Sequence, residues 1–176
     1  MNNEKVIASQ IADGETFVVA GIEFIKFPEQ DGKFVAVAKG SLGDKIFDNN
    51  GNDFSKSSLL KYLETEILPK IEADVGAENV LEFETDLFSL DGHRKYGVMR
   101  SKISLPTFDF YRENREVFNK HLLDDWWWLS TPNGEKYWVT CVAPSGCVLS
   151  NGSIYGSGGV RPFLLFSSSI FVSRKA

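Results

Sequence analysis

The sequence predicts an α+β fold, on three observations. Apolar residues alternate with a period of two near both ends of the chain. They recur every four positions in the middle, and short Asp-Gly, Asn-Gly and Gly-rich turns separate the runs. Residues 15–27, ETFVVAGIEFIKF, read as two strands joined at Ala20-Gly21, and 33–39, KFVAVAK, sets Phe34, Ala36 and Ala38 against Val35 and Val37. Asp31-Gly32 is a strong hairpin signal, so the chain is expected to open with an antiparallel meander. DNNGND at 48–53 reads as a loop, after which Ser55 or Ser57 caps a helix whose Leu59, Leu63, Ile67 and Ile71 form an apolar stripe. Pro69 interrupts that stripe and should kink the helix or begin another. A second main helix is expected from about Phe110 to Leu123, with Tyr111, Val117, Phe118, Leu122 and Leu123 inward. From Trp126 onward WWWLS, EKYWVTCVA, CVLS, SIYG and GVRPFLLF read as C-terminal antiparallel strands, separated by Pro-Asn-Gly, Pro-Ser-Gly, Ser-Asn-Gly and Gly-Ser-Gly-Gly. No repeat or linker divides the chain, and residues 1–176 are expected to form a single domain.

Composition narrows the function classes. A formal net charge of −5 and a pI near 5.1 argue against direct affinity for nucleic acid or an anionic membrane, which rests on clustered Lys and Arg. No apolar run reaches the length of a membrane span, and MNNEKVIASQIADGE lacks the features of an export signal, so a cytoplasmic location is expected, or carriage on a particle. Cys141 and Cys147 flank a Pro-Ser-Gly hairpin loop that would set their sulfurs diagonally, too far apart for a disulfide, and neither histidine lies at a zinc-ligand spacing from them. Asp48, Asn50 and Asn52 have the alternate spacing of an EF-hand loop. The pattern fails at its sixth position, Asp53, and at its twelfth, Leu59, so a turn before a helix explains the loop better. There is no phosphate loop, no nucleophile elbow and no zinc-protease motif. Neither a catalytic residue, a cofactor nor a metal is expected.

A family resemblance rests on particular residues. WWLSTP at 127–132, followed by GGVRPFLLF at 158–166, resembles the "WWLRSP … GVRPAL" ending of an uncharacterised domain family common in phages and prophages. GIEFIKF with DGKFVAVAKGSLGDKIFDN is similar to that family's opening meander, SSLLKYLETEIL to its helix, and DLFSL to a following segment. Lys61-Tyr62 departs from the Arg-Lys-Trp usual in the helix, and Leu129 runs directly into Ser130 where the family has an arginine. The resemblance implies a C-type-lectin-like fold, akin to formylglycine-generating enzymes and retroelement variable proteins, which hold binding loops on a rigid sheet. It also marks Trp127, Arg161 and Pro162 as structural. Arg161, once buried, is expected to meet a carboxylate or carbonyls, with a structural ion pair favoured over an anion site.

Two binding surfaces stand out. If Trp127 faces the core, Trp126 and Trp128 face the other way, exposed or covered by a helix. Trp138 and Tyr155, near turns, suit recognition as well as packing, and with Asn133, Lys136, Ser145, Asn151 and Ser153 they define an aromatic loop face. From Glu64 to Asp86 eight acids oppose only Lys70, leaving −7 there and +2 elsewhere. Within that segment Glu72, Asp74, Glu78, Glu82 and Glu84 form a solvated face or a docking surface for a basic protein. The expected function is a non-catalytic, protein-binding module of phage or prophage origin, acting in the host cell as an inhibitor of a host protein such as a basic defence nuclease, in the manner of an anti-CRISPR protein. The alternative is a particle-borne or surface domain that recognises a host protein or glycan. A formylglycine-generating oxidase is a distant third.

Overall fold

A computed structural model describes residues 4–154 and 156–174. These residues form an α+β structure, mostly strands with few helices. The first strands are β1 (Glu4–Ile7), β2 (Thr16–Val19), β3 (Ile22–Gln30), β4 (Lys33–Ala38) and β5 (Asp44–Lys45). Helices α1 (Ser58–Tyr62) and α2 (Leu68–Val75) follow, then β6 (Val80–Leu81), β7 (Phe83–Asp86), β8 (Val98–Ser101) and β9 (Ile103–Ser104). Short helices α3 (Phe108–Glu113) and α4 (Arg115–Asn119) precede β10 (Trp127–Pro132), β11 (Trp138–Val142), β12 (Val148–Gly152), β13 (Gly158–Gly159), β14 (Phe163–Ser167) and β15 (Phe171–Arg174). The largest sheet is antiparallel, in the order β1-β15-β2-β3-β4-β14-β6, with β9 also on β14. A second sheet runs β12-β11-β10-β13-β5, and β7 and β8 form a separate hairpin.

The opening meander has the predicted turns. Ala20 and Gly21 sit at φ 51° and 76°, and Asp31 and Gly32 at 52° and 72°, the doubly left-handed loop whose twist matches two antiparallel strands. Alternation along β4 places Phe34, Ala36 and Ala38 in one core and Val37 in another, so the large sheet is covered on both faces. On the first face Phe17, Phe24, Phe34 and Phe166 pack ring to ring beside Leu59, Leu63, Ile67 and Ile71. On the second, Ile25 and Phe27 meet Tyr111, Phe118, Trp127, Leu129 and Val142.

The first helical region begins where Ser57 Oγ accepts from Leu60 N at 3.0 Å. Pro69 does not end it. A π turn over Leu63–Ile67 widens the helix just before α2, which accommodates the ring and the missing N–H. The second expected helix is split. It breaks at Asn114, whose Nδ2 donates to Phe110 O at 2.9 Å, and it ends at Asn119 rather than Leu123, leaving Leu122 exposed. The Ser-Asn-Gly turn is also displaced: Ser150–Gly152 continue β12, because Trp138 pairs with Gly152.

Trp127 and Trp128 lie on opposite sides of β10 and both are buried. Trp127 joins the second core, while Trp128 is covered by Phe47 at 5.5 Å and donates Nε1 to Lys45 O at 2.8 Å. The cover is thus the Lys45–Leu59 segment more than a helix. Trp126 stands edge-on to Trp128 at 4.7 Å and against Gly158, where a Cβ would collide with the indole. Val160, expected in a core strand, is buried in the link from β13 to β14 instead. Pro162 O accepts from Ala38 N at 2.9 Å. Arg161 corrects the expected ion pair. Its Nε donates to Ala38 O at 2.8 Å and Nη1 to His121 O at 3.3 Å, while the guanidinium sits 4.7 Å from the Trp127 ring centre and 5.2 Å from that of Phe118. Two carbonyls and two π faces replace a carboxylate. Burial pulls its pKa down to about 10, which leaves it cationic at neutral pH.

Candidate functional site

The loop from Asn133 to Tyr137 is held by a side chain from the other half of the chain. Buried Asn52 directs Nδ2 at the carbonyls of Asn133 (3.0 Å), Glu135 (2.6 Å) and Trp138 (2.9 Å), and its Oδ1 accepts from Tyr96 Oη at 2.7 Å. The DNNGND loop is therefore a clasp. Its other polar groups are engaged locally: Asp48 accepts from the Asn50 and Ser58 amides, and Asp53 caps the turn at Phe54.

This clasp presents a wet aromatic surface. Trp138 is 43% exposed and Tyr137 38%. Lys136 lies exposed with its ammonium 4.8 Å from the Tyr137 ring centre, and its contact with that hydroxyl holds its pKa above the usual lysine value. Asn133 Nδ2 donates to Ser150 Oγ at 2.9 Å. Asn133 and Lys136 also line a cleft of about 270 Å³ with His93, Lys95 and Tyr96. Those three belong to the basic stretch HRKYGVMRSK at 93–102, which the Asn52–Tyr96 bond ties to the site, and the Leu90 amide just before it donates to Pro132 O at 3.1 Å.

The remaining loop-face residues do not join this surface. Ser153 is buried, and its carbonyl accepts from Phe47 N and Asp48 N at 3.1 and 3.3 Å, so it is structural. Asn151 is half-buried and turns Oδ1 onto Gly152 N at 2.8 Å. Ser145 lies at the opposite end of the β11–β12 hairpin, whose Gly146 carbonyl accepts from Tyr111 Oη at 2.7 Å and from Arg115. Tyr155 lies outside the described residues.

Within the acidic segment, four of the five candidates serve the fold. Glu72 meets Lys102 at 2.7 Å. Asp74 accepts from Ala20 N at 2.6 Å and faces Lys5 at 3.7 Å. Glu82 and Glu84 share Arg100 at 3.7 and 3.4 Å. Glu78 is exposed and makes no ion pair among the described residues. The acidic and basic stretches are thus partly each other's partners, a pairing that sequence distance conceals.

Cys141 is buried and Cys147 exposed, both as free thiols. Burial pushes the Cys141 thiol up to about 11. A thiol reagent at pH 8 should therefore modify Cys147 alone in the folded protein and both cysteines in denaturant, which mass spectrometry of the labelled peptides would show. Among the described residues no three His, Cys, Asp or Glu side chains converge to hold a metal ion, and no helix is long and apolar enough to cross a membrane.

Comparison with known proteins adds a family match over part of the chain. Residues 83–168, just under half of it, match the model of a family described as Domain of unknown function (DUF6273). This span runs from β7 to the end of β14 and contains Trp126–Trp138 and Arg161. No curated protein and no solved structure matches the chain.

Proposed function

We propose that the protein is a non-catalytic protein-binding module of C-type-lectin-like architecture and phage or prophage origin, and that it engages a host protein through the loop face around Trp138. The observation that carries this reading is an exposed tryptophan on a strand with a rigid base. Val139 to Val142 are buried behind it, and Asn52 ties the preceding loop. A large aromatic side chain held in place loses little freedom on binding, which is why such residues dominate interface energetics. The WWLSTP and GGVRP resemblance supports the fold and the origin.

A second reading places the contact on acids, for a basic defence nuclease inside the host cell. Its support is that Glu64, Glu66 and Glu78 are exposed and make no ion pair among the described residues. Capture from host lysate separates the two. Trp138→Ala should weaken retention of the captured protein at least tenfold, about 1.4 kcal/mol, while charge reversal at Glu64, Glu66 and Glu78 leaves it unchanged. The opposite pattern moves the contact to the acidic face. Capture confined to cell-envelope glycan would replace the host-protein reading by surface recognition.

A further inference from the structure

The β7–β8 hairpin stands apart from both large sheets, so β7 has one paired edge and one unpaired edge. Which groups face the unpaired edge follows from the ladder. Leu87 N donates to Gly97 O at 3.0 Å, making that a hydrogen-bonded pair, and the alternation of an antiparallel ladder then assigns hydrogen bonds to Thr85↔Met99 and Phe83↔Ser101. Glu84 and Asp86 consequently aim their main-chain N–H and C=O groups away from β8. No loop or side-chain group among the described residues takes them up.

That edge borders a cleft of about 480 Å³. Phe83, Leu105, Phe108, Phe110 and Phe163 line it, and the first turn of α3 forms the wall opposite β7. Phe163 packs at 5.1 Å from Phe83 and 5.0 Å from Phe110, so the apolar lining is continuous. Three carboxylates, Glu84, Asp86 and Asp109, and the Arg112 guanidinium also line it, and Arg100 with Glu82 adjoins Glu84 through ion pairs. Arg112 meets Asp109 at 3.1 Å, and these groups together leave two negative charges in excess. Asp86 makes no ion pair among the described residues; its Oδ1 accepts only the Phe88 amide.

We infer that this groove is a strand-addition site for an extended segment of another protein in which basic and apolar residues alternate. A strand hydrogen-bonded to Glu84 and Asp86 turns every second side chain into the aromatic lining and the others outward beside the two carboxylates. Opposite charges across a strand pair are favourable and like charges are not, so the rim that repels an acidic strand selects a Lys- or Arg-bearing one. This site is separate from the Trp138 face and stands whether or not that face binds a partner.

Titrating the isotope-labelled full chain with a short blocked peptide alternating lysine and valine, followed by NMR, tests the assignment. Saturable shifts are expected at the Glu84 and Asp86 amides. Replacing the peptide's lysines by glutamate should weaken binding at least tenfold, and methylating the backbone nitrogens along one edge of the peptide should abolish it while methylating the other edge does not. Glu84→Pro removes an outward N–H from a non-hydrogen-bonded position of the β7–β8 ladder and should also cost at least tenfold, whereas Trp138→Ala should have no effect. Absence of saturable shifts, equal binding of both methylated peptides, or shifts centred on Trp138 would overturn the proposal. The methylated peptides decide the question even if the proline variant does not fold.

Discussion

Trp127→Ala is expected to destabilise the protein by about 3–5 kcal/mol, the usual cost of emptying a buried indole site. The indole packs at 5.8 Å from Tyr111 and 5.7 Å from Phe118, and its π face lies 4.7 Å from the Arg161 guanidinium. Removing it leaves a cavity between the large sheet and α3–α4, and deprives a buried cation of one of its two aromatic neighbours. That loss is comparable with the whole stability of a marginal domain. Urea unfolding followed by far-ultraviolet circular dichroism would measure it, with Trp138→Ala as the partly exposed control expected to lose far less. Similar midpoints for the two variants would show that the second core repacks around the gap.

The second large effect is expected at Asn52. With Asn52→Ala, the Asn133 carbonyl and the Tyr96 hydroxyl lose the partners described above, while the Trp138 and Glu135 carbonyls keep their backbone donors. Two such groups left unsatisfied correspond to about 3 kcal/mol. Asn52→Asp has nearly the same shape but sets a carboxylate against three carbonyl oxygens, so it should be worse than alanine at neutral pH. The introduced carboxyl would have its pKa raised in the folded state. Its destabilisation should therefore be small below the unfolded carboxyl pKa and grow as pH rises through the folded one. Melting temperatures at acid and neutral pH, with hydrogen exchange of the Asn133–Trp138 amides, would show this. If the aspartate variant matched wild type at neutral pH, the clasp would not be what holds the loop.

Asn52 also shows where sequence reasoning stops. DNNGND is legible as a loop before a helix, because Asx-rich turns and a serine cap act within a few residues. Nothing in it reveals that one asparagine spans more than eighty positions to hold the loop that carries Trp138. The acidic segment misleads for the same reason: its excess charge is visible, whereas the pairing of Glu72 with Lys102 depends on where β7–β9 return past α2. Ser145 and Ser153 are both small, polar and near turns, yet one sits at a hairpin tip and the other is buried.

What the sequence determined by itself was local: the two left-handed hairpin turns, the apolar stripe of α1–α2, and the opposed faces of Trp127 and Trp128. Each follows from backbone sterics or from side-chain periodicity within one element. The tertiary structure alone decided that both faces of β10 are covered, that carbonyls and rings rather than a carboxylate hold Arg161, and that β7 keeps an open edge beside an aromatic cleft. Those outcomes depend on which distant segment fills each space, because burial and hydrogen-bond satisfaction are properties of the packed whole.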